Sequence, residues 1–584
     1  MTKKTIYIVG GGPAGLSAAH ELLKTGDDNV VVLEKTDSVG GISRTESYKG
    51  YHFDIGGHRF FTKNEYVQEL WDDILKDDFI QVPRLSRIFY QDKYYQYPIK
   101  LFNTFFNLGV IESFRILFSF FGTKLFPHKQ ENTFEEWVAN RFGERLYRTF
   151  FKTYTEKVWG IPCSSIQSDW AAQRIQGLSL TAAVANALFG TKKAKTLIDE
   201  FDYPRMGPGM MWDGFKDRIE TKGGQVKLRS EVTAINHADN VVTGIDYAGH
   251  GQSVHQTIDH LISSTPINLL VTLLDPPPPQ TVLDAASRLS YRSFLIVILI
   301  VKQEDLFPDQ WIYIHSPEVK VGRIQNFKNW SPSMVPDEQN SSIGLEYFCD
   351  EGDDVWQMDN DKLAELAAGE LETLGLAKNS DVVDHYVVRQ SAAYPVYDEA
   401  YNSSLETVKG YLETFDNMQT VGRSGMHRYN NMDHSMITGV MAAQNIYGAE
   451  HDLWDVNDDD EYLEAGTRDI VEGYIQRSFA RMSKFAFGTS LGVVSGLIMF
   501  IATLTLYLKG GAVVGPNITL LKHYFIGYKV TVPGAFIGFC YTFTSGFVFG
   551  WLFAFFRNLI LAWYIYSIRR KAEKGRLKDF IDYI

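Results

Sequence analysis

The chain has 584 residues, a formal net charge of −13 and 45% hydrophobic residues. That length exceeds one hydrophobic core, so two or more domains are expected. The acidic balance excludes the basic footprint of a nucleic-acid binder. Three scattered cysteines, Cys163, Cys349 and Cys540, suit neither a disulfide framework nor a thiolate metal site and fit a reducing compartment. The N-terminus opens directly into a strand, without signal-peptide features.

Residues 5–35, TIYIVGGGPAGLSAAHELLKTGDDNVVVLEK, read as strand, glycine turn, helix and second strand. A β-branched and aromatic run ends at Val9. Gly10, Gly12 and Gly15 then form G-x-G-x-x-G, with Pro13 and Ala14 inside it. A helix runs to Lys24, and Gly26 stops it. The next apolar run ends in Glu34, followed by Lys35. Glycines so spaced let the backbone approach a pyrophosphate, and the helix N-terminus attracts its charge. Glu34 is placed for a ribose 2′-hydroxyl, and its charge disfavours the 2′-phosphate of NADP. The competing reading is a tight turn in an ordinary α/β domain.

Gly40 and Gly41 lie close enough to Glu34 to bring a second loop to the same cofactor. The pattern E…GG resembles the two-dinucleotide-binding-domain flavoproteins, and the resemblance implies FAD rather than NAD. Arg44 is either a phosphate or flavin-edge partner or a solvated loop arginine. Gly57, His58, Phe60, Thr62 and Val67 then match G-x-H-x-F-x-T-x-x-x-x-V, which resembles UDP-galactopyranose mutases. There the His-bearing turn lies against the flavin and acts largely through its backbone. A histidine in a glycine turn is otherwise structural.

Residues 91–202 read as a mostly helical insert capping the cofactor, with Glu112, Arg115 and Lys124 interrupting its long apolar runs. Tyr154-Thr155-x-Lys157-x-Trp159 again resembles the mutases. The resemblance implies that Tyr154 and Trp159 wall a uridine and that Arg174, downstream, clamps a diphosphate. A flat base suits an aromatic face and a diphosphate suits a guanidinium fork. The alternative is that both aromatics are core residues on a helix face.

Residues 203–280 are expected to return to the first domain, with Val232 or a neighbour near an adenine by resemblance to FAD proteins of this class. Four prolines, 276–279, form a rigid exit. Residues 285–414 carry β-rich runs such as SFLIVILIV and read as a substrate-domain sheet. Arg323 and Asn326 are polar candidates for its pocket wall, though each reads first as a surface loop. Tyr394-Pro395-Val396 resembles the turn that mutases place beside the sugar. Residues 417–446 contain G-R-x-x-x-x-R-Y-x-x-M-D, from Gly422 to Asp433. A strand, a turn and a helix opened by Asp433 and Ser435 aim N–H groups at an anion. By resemblance to the mutases, Gly422, Met432, Asp433, His434 and Ser435 contact the flavin and its ribityl diphosphate. Arg423 meets the substrate diphosphate, and Tyr429 donates its hydroxyl there. The alternative is a capped helix packed on the sheet.

Residues 451–484 read as an acidic linker. Phe485–Leu508 and Val530–Phe556 carry no charge, and each is long enough to span a bilayer. Arg477, Arg481 and Lys484 precede the first, and Arg569, Arg570 and Lys571 follow the second. The positive-inside rule then puts both flanks and the catalytic domain in the cytoplasm. Gly488, Gly492 and Gly496, like Gly546 and Gly550, recur four apart. Such faces pack closely, either within the tail or in a homo-oligomer.

The fold expected is α/β. A Rossmann-like FAD-binding domain of the two-dinucleotide-binding-domain type is built from 1–90, 203–280 and 415–450. A helical insert (91–202), a β-rich substrate domain (285–414), a linker (451–484) and a membrane tail (485–584) with two transmembrane helices complete it. The resemblance covers residues 5–450. It implies an FAD-dependent sugar-ring mutase acting on a nucleotide- or lipid-linked sugar through reduced flavin N5. Arg174, Arg423 and His58 form its catalytic set; Tyr154, Trp159, Tyr394 and Tyr429 bind substrate. No metal site is expected. The second reading is an FAD-dependent oxidoreductase of the amine-oxidase, protoporphyrinogen-oxidase or phytoene-desaturase type. It would take hydride from a membrane-dissolved substrate, and the apolar tail favours it. The third is a non-catalytic membrane scaffold that keeps FAD structurally.

Overall fold

The computed structural model describes residues 3–25, 28–97, 101–129, 131–168, 200–249, 251–457, 483–510 and 516–581. The chain divides into two compact units, residues 1–466 and 467–584.

In the first unit, β1 (Thr5–Val9), α1 (Pro13–Thr25) and β2 (Asn29–Leu33) form the opening strand–helix–strand. The two strands pair in parallel, Thr5 opposite Asn29 through Val9 opposite Leu33. They read as continuous apolar runs because both faces are covered. Ile6, Ile8, Val30 and Val32 pack with Leu16, Ala19 and Leu22 of α1. Tyr7, Val9, Val31 and Leu33 point the other way, into a second core with Ile235, Ile245 and Leu261. The sheet has five parallel strands, in the order Met418–Thr420, His260–Ser263, β1, β2, Gln225–Lys227. Segments from the start, middle and end of the unit therefore share one sheet.

A seven-stranded sheet forms the second layer, in the order Val382–Pro395, Tyr291–Val301, Ser341–Cys349, Arg323–Asn326, Trp311–Ile314, Ser86–Tyr90, Lys93–Gln96. The SFLIVILIV run is its second strand, paired on both sides. Leu295, Val297, Leu299 and Val301 face the helix Asn360–Thr373, through Leu363, Ala367 and Leu371. Phe294, Ile296, Ile298 and Ile300 face Phe53, Tyr203, Phe327 and Trp330. The expected break at residue 90 is corrected here. The hairpin Ser86–Gln96 belongs to this sheet, where Trp311–Ile314 pairs in parallel with Ser86–Phe89. It covers backbone groups that an edge strand would leave unpaired.

The helical insert includes Val110–Leu125, Phe134–Phe142 and Thr153–Trp159. Thr133 and Glu136 close a capping box at the second of these. Residues 169–199, and Arg174 with them, lie outside the described residues.

In the second unit, helices Lys484–Lys509 and Val532–Ile581 pack together. The first, and residues 532–559 of the second, are long and apolar enough to cross a membrane. Gly488, Gly492 and Gly496 meet Phe547, Phe543 and Phe539, and Gly546 and Gly550 meet Gly492 and Gly488. Of the two packings expected for these glycine faces, within the tail or in a homo-oligomer, the structure shows the first: the two faces close on each other within one chain. Glycine permits this because backbone meets backbone with no Cβ between.

Candidate functional site

Two glycine turns meet beyond the carboxyl ends of β1 and β2. The Gly40 N–H donates to Gly11 O at 2.8 Å, and the Gly10 N–H donates to Leu33 O at 2.8 Å. A Cβ on Gly15 would fall 2.0 Å from Gly10 O, so this glycine sets the turn itself. A Cβ on Gly12 would meet nothing nearer than Gly41 Cα, at 3.8 Å. Between Gly12 and Gly41 there is thus a strip lined by backbone alone, at the N-terminus of α1. Pro13 and Ala14 begin that helix. The Glu34 carboxylate lies at its side, buried and hydrogen-bonded through both oxygens. One oxygen accepts the Gly11 N–H at 2.7 Å, and the other accepts Thr36 N–H at 2.9 Å and Thr36 Oγ–H at 2.8 Å. Lys35 is exposed. Val232 lies just beyond Ser230, whose N–H donates to Glu34 O at 2.8 Å.

Helix Met432–Ile446 lies along α1. A Cβ on Gly439 would sit 2.1 Å from Ala14 O, and one on Gly422 would sit 3.0 Å from Ala14 Cβ. The first turn of α1 therefore packs against the middle of this helix. The expectation that Asp433 and Ser435 open the second helix is corrected. Asn431 caps it, and His434 returns the contact by accepting the Asn431 N–H at 3.3 Å. Met432, Asp433 and Ser435 form the first turn. Asp433 is buried with Oδ1 unpartnered, and burial pushes its carboxyl up to about 6. Arg44 is anchored rather than solvated. Its guanidinium bonds Glu46 at 2.7 Å, Gly41 O at 2.9 Å and Gln390 Oε1 at 2.9 Å, tying the second glycine turn to the seven-stranded sheet.

The Gly57–His58 turn faces a set of aromatic and cationic side chains. Tyr394 and Tyr429 stack, with centroids 5.7 Å apart and planes 21° apart. The Arg423 guanidinium sits 4.5 Å from the Tyr429 ring and 5.7 Å from the Tyr394 ring. Its Nε–H donates to Asn430 O at 2.8 Å. Trp159 closes the wall with its ring edge 6.4 Å from Tyr394 and lies 6.5 Å from Tyr429. Tyr154 is stacked face to face on His315, at 4.8 Å and 7°. Lys157 of the same motif donates to Ser316 O at 2.6 Å, so it pins this helix to the sheet.

His58 Nδ1 is cut off from solvent without a partner. Burial, with Arg423 and Arg323 beside it, pushes His58 down to about 3. The imidazole is therefore neutral at working pH. Reading Arg323 and Asn326 as surface loop is also corrected. Both lie on the strand Arg323–Asn326, and Asn326 is buried. Arg323 Nε lies 2.9 Å from both oxygens of Glu346, a residue with no exposed surface. Gln325 Nε2 donates to the same carboxylate at 2.5 Å. A Cβ on Gly57 would lie 3.3 Å from Gln325, and one on Gly56 would lie 3.5 Å from Arg323, so this network underlies the His58 turn. Glu346 and His315 carried no sequence signal, because a lone polar residue in an apolar strand is legible only through its partner.

The chain matches the family of flavin containing amine oxidoreductases across residues 13–447. It belongs to that family. FAD is accordingly its cofactor, and it is an enzyme. A probable flavin-containing monoamine oxidase A of Dictyostelium discoideum is 39% identical over 114 residues, 18% of this chain and 24% of that protein. A probable UDP-galactopyranose mutase of Klebsiella pneumoniae is 30% identical over 174 residues, 28% of this chain and 44% of that one. The chain thus aligns with less than half the length of either relative. Reduced UDP-galactopyranose mutase shares the fold of this flavoprotein at a TM-score of 0.69 and 23% identity, covering 80% of this chain and 99% of that one. A putative protoporphyrinogen oxidase from Exiguobacterium sp. 255-15 shares it at 0.59 and 15%, covering 76% and 99%. The α/β fold of the flavin oxidoreductases is shown by these matches. The residues fit a flavin dinucleotide: a backbone-only strip between two glycine turns, a carboxylate at its side, and unpartnered His58 Nδ1 and Asp433 Oδ1.

Proposed function

We propose that this flavoprotein is an FAD-dependent sugar-ring mutase acting on a sugar carried by a diphosphate, nucleotide- or lipid-linked, with its tail in a membrane. The observation that carries the reading is the gathering of Arg423, Tyr394, Tyr429 and Trp159 opposite the His58 turn. An anchored guanidinium beside aromatic faces is suited to an anionic group on the substrate. A leaving diphosphate is such a group.

Gly10, Gly12, Pro13, Ala14, Gly15, Glu34, Gly40 and Gly41 would hold the dinucleotide. Gly422 and Met432 to Ser435 would hold its ribityl diphosphate, with His58 beside the ring. Bound and reduced, FAD supplies the nucleophilic N5 that ring interconversion requires. The protein supplies the rest. Arg423, fixed by Asn430 and flanked by two tyrosine faces, neutralises the diphosphate as it leaves. By the resemblance to the mutases, Arg174 would clamp the same diphosphate. Burial raises the Tyr394 hydroxyl well past neutral pH, so it stays a hydrogen-bond donor. Trp159 and Tyr154 exclude water and offer flat faces. His58, held neutral, adds no charge to the site. The arginine- and lysine-rich flanks of the apolar helices support a cytoplasmic side for this unit.

The oxidoreductase reading stays second, favoured by the two apolar helices and by the family match. The test uses full-length protein in detergent with dithionite-reduced flavin and UDP-galactopyranose. Furanose formed only with reduced flavin supports the mutase. No furanose, with the oxidised flavin bleached by an isoprenoid or a porphyrinogen, moves the protein to the second reading.

A further inference from the structure

The helix Val110–Leu125 stands on the first unit with an apolar face left in water. Ile111 is 72% exposed, Phe114 51%, Phe118 73%, Phe121 54% and Leu125 74%, and Phe126 continues the face at 85%. At 3.6 residues per turn, Ile111 to Leu125 fall within a stripe roughly 80° wide. Opposite it, Ile116 and Phe120 are buried, and the Gly143 backbone packs against Phe120. Glu112 pairs with Arg145, and the Arg145 N–H donates to Ser119 Oγ at 3.1 Å. The helix is therefore docked by its other face. The stripe is not core awaiting a correct fit.

We propose that this stripe is a lipid-docking surface: a second membrane attachment that lays the flavin-binding unit on the bilayer entered by the C-terminal helices. The inference rests on the membrane reading of the tail. Charge selects the occupant. Arg115, paired with Glu112 at 3.5 Å, borders the stripe on one side with 62% of its side chain exposed, Lys124 borders it on the other, and an exposed Lys129 follows. Phenylalanines, leucine and isoleucine between basic rims match an acyl–headgroup boundary with anionic lipid. A second copy meeting this face about a two-fold axis would set the basic rims against each other. The rims are a local exception on a chain with net charge −13. The two apolar helices of the same chain supply the bilayer. An apolar face of this size, with none of the described residues of its unit over it, marks an interaction site. The attachment holds the flavin-binding unit where a lipid-linked substrate is dissolved.

The test uses the full chain reconstituted in phosphatidylcholine vesicles containing phosphatidylglycerol. An environment-sensitive thiol dye is read with and without spin-labelled lipid. Cys163 and Cys349 are buried, whereas Cys540 is exposed within the second apolar helix. Labelled Cys540 in the native chain reports the tail. Phe118→Cys and Val383→Cys, each in a Cys540→Ser background, report the stripe and a 56% exposed control. The expected result is a blue-shifted dye at position 118, quenched at least about twofold more than at 383. Adding Arg115→Glu and Lys124→Glu should reverse it. Quenching at Cys540 with position 118 behaving like 383 overturns this proposal and leaves the tail reading standing. No quenching at Cys540 overturns both. A dye at 118 shielded from spin-labelled lipid, and freed when vesicles hold one copy each, makes the occupant a second chain.

Discussion

Gly12→Ala separates a glycine kept for a cofactor from one kept for folding. The added methyl has Gly41 Cα at 3.8 Å and Gly41 N at 4.0 Å as its nearest neighbours, which is ordinary contact. The flavin-free variant should therefore unfold within about 0.5 kcal/mol of the parent. The methyl does fill the backbone-lined strip at the start of α1, where a pyrophosphate takes N–H groups. Losing one hydrogen bond to a charged group costs about 1.5–3 kcal/mol, so FAD should bind roughly 10- to 100-fold more weakly. Gly15→Ala is the contrast. Its Cβ would sit 2.0 Å from Gly10 O, with Ile8 Cγ2 at 3.1 Å. The first neighbour is backbone, so the turn must open, at roughly 1–3 kcal/mol or more of stability. The assays are equilibrium titration of flavin fluorescence and thermal unfolding of flavin-free protein by circular dichroism. If Gly12→Ala binds FAD as tightly as the parent, the strip is not the pyrophosphate site. If instead its flavin-free form melts with Gly15→Ala, the glycine serves packing and the argument fails.

Arg423→Ala should keep FAD bound while turnover falls by about 100-fold or more, since the lost group acts on charge leaving in the transition state; a colourless protein would make Arg423 structural. Asp433 gives a pH test. Burial raises its carboxyl from 3.8 to about 6, so the folded state binds the proton more tightly than the unfolded chain. That stability is full below about pH 4 and lost as pH rises through about 6, up to roughly 3 kcal/mol. Asp433→Asn should flatten the slope of flavin-free denaturation between those limits, and an unchanged slope assigns it to other groups. In the tail, a Cβ on Gly546 would lie 2.8 Å from Ser495 Oγ. Ser495→Cys with Gly546→Cys should therefore crosslink within one chain in detergent, and a disulfide-linked dimer on the gel would contradict the closed glycine faces.

The opening unit was legible because its signals are local. Gly10, Gly12, Gly15 and Glu34 act within one strand–helix–strand, and their spacing carries the geometry. The apolar runs of β1 and of Tyr291–Val301 likewise announce strands buried on both faces. The substrate end was legible only as separate motifs. Tyr154, Trp159, Tyr394, Arg423 and Tyr429 come from three distant stretches, and their convergence belongs to the packing of two sheets and the insert. Arg323 read as surface because an arginine beside glycine and asparagine usually is one. What buries it is Glu346 on the next strand, and that pairing is a fact of register. His427, within the Arg423–Tyr429 stretch, is fully buried, with its ring edge-on to Tyr291 and the centroids 4.4 Å apart, a contact that no neighbouring residue announces.

By itself, then, the amino-acid sequence determined the cofactor class, the strand–helix–strand that receives it and the two apolar tail segments, because each is written in neighbouring residues. Only the tertiary structure decided which surfaces are covered. The tail glycines allow packing within the tail or with a partner chain, and in the structure their two faces close on each other. The Val110–Leu125 helix carries apolar residues on both sides, Ile116 and Phe120 on one, Phe114 and Phe118 on the other. Composition and period treat the two faces alike. Burial depends on what long-range folding lays against each, and here it covers one and leaves the other exposed.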